Sequence, residues 1–141
     1  MSRIYWDSML FIYLLEANPV LGPKVRKILS QITSRGDTIR TSVFTIGEVL
    51  TGARRRGSMS GVDAIKEYFE SGAIEILPFK ATTANLYSVI RSASKVSQAD
   101  GIHVASAAES GVDIFFTNDR ELRKLSIPGI KFFADLDGKI I

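Results

Sequence analysis

The chain has 141 residues, a length that fits one domain with its own hydrophobic core, and its hydrophobic content of 45% is ordinary for a globular protein. It contains no cysteine and a single histidine, His103, so disulfides and thiolate zinc sites are excluded and any metal must be held mainly by oxygen, as suits Mg²⁺ or Mn²⁺. The net charge of +3 permits an anionic partner without requiring one.

The start of the chain does not resemble a membrane span or a secretory signal. The longest apolar run, Met9–Leu15, is much shorter than the ~20 residues that cross a bilayer. Asp7 interrupts the apolar stretch that follows Arg3, and Glu16 stands where a signal cleavage site requires a small residue. We therefore expect a cytoplasmic protein with no membrane partner.

Apolar periodicity and the positions of glycine and proline predict strands and helices that alternate along the chain. In the first half we predict strands at Arg3–Trp6 and Thr38–Ser42, and helices at Ser8–Ala17, Val20–Ser34 and Thr45–Arg56. In the second half we predict strands at Ala73–Leu77, Asp113–Thr117 and Lys131–Leu136, and helices at Val62–Glu70, Thr82–Ser94, Gln98–Glu109 and Asp119–Leu125.

This alternation predicts an α/β fold, a three-layer α/β/α domain with a central, mainly parallel sheet of about four or five strands. No repeat, low-complexity segment or linker divides the sequence, so residues 1–141 are expected to form one domain. In such sheets ligands bind beyond the carboxyl ends of the strands, where the strand order reverses. The residues at those ends are therefore the candidates for function.

Two aspartates each stand between a predicted strand and a predicted helix. Asp7 directly follows Trp6, and Asp119 closes the segment Phe116-Thr117-Asn118-Asp119. Taken singly, each is better explained as a helix N-cap, whose carboxylate accepts backbone N–H groups.

Asp100 and Glu48 also have simple structural explanations. The segment Ser97–Asp100 matches a capping box with Ser97 as the cap, although glutamate or glutamine is the preferred acid there. Glu48 lies inside a predicted helix, opposite the apolar face that contains Val49 and Ala53. That polar face is either the wall of a cleft or ordinary surface, and the pattern does not separate the two.

The joint arrangement of the acids favours a functional interpretation. Asp7 and Asp119 follow predicted strands, and Asp100 begins the helix immediately before the Asp113–Thr117 strand, which places all three at one edge of the sheet. Carboxylates crowded together repel one another unless a cation neutralises them. Mg²⁺ is commonly held by one or two carboxylates, waters and substrate phosphates. The sequence therefore indicates metal-assisted chemistry on a phosphate ester.

Arg54, Arg55 and Arg56 form the one dense basic run in the sequence. The simpler interpretation is a solvated helix end that complements the helix dipole. The alternative is a contact with the phosphates of a nucleic acid, so these arginines are candidate RNA-binding residues.

Four segments, in order and at suitable spacing, resemble PIN-domain proteins. They are Ile4–Ser8 (IYWDS), Ser42–Val49 (SVFTIGEV), Ala99–Ala105 (ADGIHVA) and Phe116–Asp119 (FTND). The order, the spacing and the chain length look most like the toxin nucleases of VapBC toxin–antitoxin pairs. The resemblance extends from about residue 3 to the last predicted strand.

The resemblance implies a PIN fold related to ribonuclease H and the flap nucleases. It implies an endoribonuclease dependent on Mg²⁺ or Mn²⁺ that acts on structured RNA such as tRNA or rRNA. Family members commonly form homodimers, and a cognate antitoxin peptide covers the cleft and inhibits them.

Carried over by position, the resemblance implies a catalytic, metal-binding acidic quartet of Asp7, Glu48, Asp100 and Asp119. Thr117 and Ser8 match supporting positions that orient ligands and hold water. The chain departs from the family pattern at Trp6 and Met9, and neither departure removes a ligand. His103 lies in a matching helix but outside the quartet, and we expect a packed, hydrogen-bonded histidine there.

The main alternative is a PIN-like module that binds RNA or protein without cutting. Phosphoacceptor and phosphatase domains of similar shape fit less well, because Asp7 is followed by Ser8 and Met9 and lacks the neighbouring acid that they require. The glycine-rich phosphate-binding motifs of nucleotide-binding proteins do not occur in the sequence.

Overall fold

A computed structural model describes residues 1–137 and shows a sheet of five strands between two layers of helices. The strands β1 to β5 are Arg3–Trp6, Thr38–Ser42, Ile74–Leu77, Val112–Phe116 and Ile130–Ala134. The helices α1 to α6 are Ser8–Leu15, Leu21–Arg35, Val43–Arg55, Met59–Glu70, Ala81–Ala93 and Gln98–Ser110. Among these residues, no helix combines the length and apolar character needed to cross a lipid bilayer. The predicted three-layer fold is confirmed, and every strand pair is parallel.

The central strand of the sheet is β1, and the strand order is β3-β2-β1-β4-β5. The chain builds outward from β1 to β3 and then returns to the other side of β1 to form β4 and β5. In the register of β1 and β4, Trp6 lies opposite Phe116, so Asp7 and Thr117 follow at adjacent strand ends. A binding crevice forms where strand order reverses in this way.

The side chains of β1 anchor both faces of the sheet, because successive residues of a strand point to opposite sides. Ile4 and Trp6 belong to a core cluster shared with α1, α2, α3 and α4. Tyr5 belongs to a second cluster, with Phe115 of β4 and Val104 of α6. Each large apolar side chain buried in this way contributes about 1.5–3 kcal/mol of transfer free energy. The strand that ends at Asp7 is therefore held from both sides.

One predicted element is wrong. The segment Asp119–Leu125 does not form an α-helix, and only a 3₁₀ turn at Leu122–Lys124 is present. The carboxylate of Asp119 accepts a hydrogen bond from the backbone N–H of Glu121 at 2.8 Å. The same kind of contact caps α1 at Asp7, but here the chain becomes extended at Leu125, with φ −79° and ψ 143°, after a single 3₁₀ turn.

The turn before β5 requires a glycine at position 129. Gly129 has a φ of +101°, and a Cβ added there would overlap the carbonyl oxygen of Ala108 in α6. We expect Gly129→Ala to lower the free energy of unfolding by more than about 2 kcal/mol, because backbone strain is added to a steric clash. Urea unfolding followed by circular dichroism measures the loss.

Gly57→Ala is the matched control, because Gly57 has a φ of +70° but an added Cβ meets no atom within 4 Å. It should cost only the backbone strain, about 1 kcal/mol. Equal losses in the two variants would show that contact with Ala108 does not limit the turn.

Candidate functional site

Asp7 is a buried carboxylate at the carboxyl end of the central strand, with 7% of its surface exposed. Its Oδ1 accepts a hydrogen bond from the backbone N–H of Met9 at 3.1 Å, so the predicted helix cap is present. Its Oδ2 accepts a second bond from the hydroxyl of Thr117 at 3.0 Å. Burial raises the pKa of Asp7 to about 6, although His103 and the bond from Thr117 act in the opposite direction.

Thr117 connects the two predicted aspartates that follow strands. Its side chain is completely buried, and its Oγ1 both donates to Asp7 and accepts the backbone N–H of Asp119 at 3.0 Å. Because β1 and β4 are parallel neighbours, one hydroxyl reaches both strand ends.

Glu48 lies on the wall of a cleft, which resolves the two interpretations left open by the sequence. It lines a cavity of about 290 Å³ together with Asp7, Ser8 and Asp100. Its Oε1 accepts hydrogen bonds from the hydroxyl of Ser8 and from Nε2 of His103, the latter at 2.7 Å. Partial burial raises the pKa of Glu48, but these two bonds outweigh it and hold the pKa below its usual value.

His103 is the centre of a buried hydrogen-bond chain. The hydroxyl of Tyr5 lies 2.7 Å from its Nδ1 and accepts the backbone N–H of Ser42 at 3.2 Å. Burial raises the pKa of Tyr5 far above its ordinary value, so the phenol stays protonated. Its O–H can therefore donate a hydrogen bond to Nδ1 of His103. The tautomer with hydrogen on Nε2 then satisfies Glu48 as well.

A packed, hydrogen-bonded histidine was expected at position 103, and the structure confirms it at 3% exposure. The sequence did not reveal that its partners are Tyr5 and Glu48. These contacts join α6 to β1 and α3, and no local pattern links the three segments. The spacing of His103 from Asp100, three residues along one helix, was the only available signal of proximity to the acids.

Asp119 lies close enough to Asp100 to affect its ionisation. Asp100 is in the first turn of α6, where the hydroxyl of Ser97 caps the helix by accepting its backbone N–H at 3.1 Å. Partial burial raises the pKa of Asp100, and the nearby carboxylate of Asp119 raises it further. A divalent cation between such groups would relieve the repulsion.

Asp100 also joins two cavities. The first holds Asp7, Glu48 and Asp100, and the second, of about 470 Å³, holds Asp100 and Asp119. Three of the four predicted acids thus line the smaller cavity, and the fourth, Asp119, lines the larger one. Within residues 1–137 no three acidic or histidine side chains are grouped closely enough to hold one ion together.

The candidate RNA-binding arginines are placed elsewhere. Arg54, Arg55 and Arg56 lie at the carboxyl end of α3, and none of them lines either acidic cavity. Arg56 forms an ion pair with Glu16 beside a different cavity, between α1, α3 and α4. Contact of this run with RNA remains a prediction.

A family model for the PIN domain matches residues 4–128. The chain belongs to the PIN domain family. The matched region includes Asp7, Glu48, Asp100 and Asp119, the four acids of the two cavities. No curated protein sequence matches the chain.

Solved structures with the same fold include toxin–antitoxin proteins. VapBC2 from Rickettsia felis, bound to a promoter DNA fragment, aligns with a TM-score of 0.75 at 15% identity and covers 94% of this chain and 98% of its own. VapC20 from Mycobacterium tuberculosis, a sarcin-ricin loop cleaving toxin, aligns at 0.70 and 17% identity over 87% and 96%. VapBC-1 from nontypeable Haemophilus influenzae aligns at 0.68 and 17% identity over 96% and 98%. These likenesses confirm the fold of this PIN domain.

The Tyr5 hydroxyl should stabilise the PIN domain through two buried contacts. Tyr5→Phe leaves the N–H of Ser42 and Nδ1 of His103 without their partner, so we expect a loss of about 1–3 kcal/mol in the free energy of unfolding. Tyr13→Phe is the control, because the Tyr13 hydroxyl forms no hydrogen bond among residues 1–137. Similar urea midpoints for both variants would disprove the stabilising role of the Tyr5 hydrogen bonds.

The raised pKa of Asp7 predicts a pH-dependent difference between the wild type and Asp7→Asn. The variant keeps a cap oxygen and removes the charge. The folded-state pKa of about 6 exceeds the unfolded value near 3.9, so ionised Asp7 destabilises the fold as pH rises through this window. In EDTA, the stability of the variant relative to wild type should improve by up to about 3 kcal/mol between about pH 4 and pH 7. A pH-independent difference, measured by urea unfolding, would contradict the desolvation of this carboxylate.

Proposed function

We propose that this PIN domain, comprising residues 1–141, is a metal-dependent endoribonuclease that hydrolyses RNA phosphodiester bonds. The observation that carries the proposal is the pair of acidic cavities at the carboxyl edge of the sheet, where Asp100 joins Asp7 and Glu48 to Asp119. The PIN family match and the likeness to a toxin that cleaves the sarcin-ricin loop support this chemistry.

The donor set fits Mg²⁺ or Mn²⁺. Both cavities offer carboxylate oxygens, and Mg²⁺ usually takes one or two carboxylates and completes its coordination with water and substrate phosphate. A site of two protein ligands therefore satisfies the ion without a third. Asp7, Asp100 and Asp119 would hold the metal directly or through water, and Glu48 would help. The bound metal would polarise the phosphoryl oxygen and favour ionisation of water.

The protein's own side chains would orient the attacking water and hold the acids in position. Glu48 has a depressed pKa, so it is ionised at neutral pH and can accept a hydrogen bond from the attacking water. Ser8 and His103 fix one of its oxygens, which limits rotation of the carboxylate. Thr117 fixes Asp7 in the same way. These three contacts hold Glu48 and Asp7 in place before substrate arrives.

We further propose that the protein is the toxin of a toxin–antitoxin pair that acts in the cytoplasm as a homodimer on tRNA or rRNA. The likeness in fold to VapBC proteins supports an antitoxin partner. An antitoxin segment that covers the acidic cavities would exclude RNA from them.

Cleavage of a tRNA and rRNA pool by purified protein tests the nuclease. With Mg²⁺ or Mn²⁺ the wild type should produce discrete fragments, and Asp100→Asn should be slower by at least about 100-fold, because a ligand of the metal and of the cleft is lost. Gel electrophoresis of end-labelled RNA measures the rates. EDTA should abolish cleavage.

Asp63→Asn is the matched control, since Asp63 is an exposed acid on α4 outside both acidic cavities. It should cleave as the wild type does. Cleavage that survives EDTA, or equal rates for Asp100→Asn and wild type, would refute the proposal. RNA binding without any cleavage would favour the non-catalytic PIN-like module.

A further inference from the structure

Lys95 and Lys124 line the larger acidic cavity together with the acids Asp100, Asp119 and Glu121. Within residues 1–137 they are the only lysines or arginines that line either acidic cavity. We propose that Lys95 and Lys124 bind RNA backbone phosphates beside the cleaved one, so that the RNA strand leaves the site between the start of α6 and the turn at Leu122–Lys124. This inference rests on the proposed nuclease function.

The charge arrangement supplies the reason. RNA is a polyanion, and the carboxylates that would hold the metal repel every phosphate that the metal does not contact. Phosphates on either side of the cleaved bond therefore need cations of the protein. The smaller cavity, with Asp7 and Glu48, has no lysine or arginine in its lining, whereas the larger one has two. The two lysines therefore favour a path of the RNA strand along the larger cavity.

Both lysines are available to a ligand. Lys95 is exposed, two residues before the cap of α6, and it forms no hydrogen bond or ion pair within the described part of the chain. Lys124 pairs with Glu121 at 3.1 Å, but the two side chains are 72% and 80% exposed, and such a pair contributes little and exchanges readily for a phosphate.

The rest of the cavity lining indicates how the RNA is contacted. Val96, Leu122 and Leu125 provide apolar surface, and no aromatic side chain lines the cavity among the described residues. Base stacking on aromatic rings, the usual means of holding single-stranded bases, is therefore not available there. Lysine contacts to phosphates carry no sequence information, so this part of the surface should bind all RNA sequences equally.

The basic run at Arg54–Arg56 offers a competing path along α3. That path is disfavoured because Arg56 already pairs with Glu16 at a separate cavity, and the run does not line the acids. The densest basic run in the sequence is therefore not the source of the positive charge that lines the acidic cavities.

Fluorescence anisotropy of labelled single-stranded RNA tests the proposal. In EDTA, binding is measured without cleavage, and the lysine contribution is separated from that of the metal. Two RNAs of unrelated sequence are titrated at several salt concentrations with wild type, Lys95→Gln/Lys124→Gln, and Lys66→Gln as an exposed control on α4. A Lys95→Arg/Lys124→Arg variant restores the charge.

The glutamine double variant should bind both RNAs about tenfold more weakly at low salt. Its slope of log affinity against log salt should fall by about 1.4, since each contact to a single strand contributes about 0.7. Lys66→Gln and the arginine variant should remain close to wild type. Thermal melting checks that all variants are folded.

Three results would overturn the proposal. Wild-type affinity and salt slope in the glutamine double variant, with metal-dependent cleavage intact, would refute the lysine path and leave the nuclease standing. A loss confined to an Arg54→Gln/Arg55→Gln variant would place the RNA along α3 instead. Failure of the wild type both to bind and to cut RNA would refute the nuclease function and this inference together.

Discussion

The burial of one carboxylate, Asp7, at the end of the central strand is the constraint on which the site depends. Burial raises its pKa to about 6, so at neutral pH the fold bears the cost of a desolvated charge. Four groups reduce that cost: the nearby His103, the hydroxyl of Thr117 and the backbone N–H groups of Leu10 and Met9. Since Thr117 belongs to the end of β4, this support exists only because β4 is the parallel neighbour of β1. The strand order and the carboxylate are therefore linked, and a cation bound there would complete the compensation.

The alternation of side chains along β1 places support for the acids on both faces of the sheet. Trp6 packs with α1 to α4, while Tyr5 points to the opposite layer and reaches His103 of α6. The Nε2 of His103 in turn forms a hydrogen bond with Glu48 of α3. A chain of hydrogen bonds from β1 through α6 thus holds Glu48, which itself lies on α3. The chain of hydrogen bonds fixes the orientation of Glu48 before any ligand binds.

Much of the fold followed from the sequence because it depends on local signals. Alternating strands and helices, with glycine or a polar cap at their ends, predicted the parallel three-layer sheet and the position of Asp7 at its edge. The prediction failed at Asp119–Leu125, where Asp119 accepts the backbone N–H of Glu121 as a helix cap does but the chain becomes extended at Leu125 after one 3₁₀ turn. The capping interpretation of Asp7 is confirmed at one oxygen, whereas its metal-binding role stays a prediction.

The site was less predictable where it depends on contacts between distant segments. Tyr5, His103 and Glu48 are separated by long stretches of chain, and neither periodicity nor spacing connects them. Charge raises the same difficulty, because the conspicuous run Arg54–Arg56 lines neither acidic cavity, whereas the inconspicuous Lys95 and Lys124 both line the larger one. A phosphate bound in the larger cavity can contact only the side chains that line it, and these include Lys95 and Lys124 but none of the three arginines. Direct contact within the cavity therefore favours the two lysines over the denser basic run on α3.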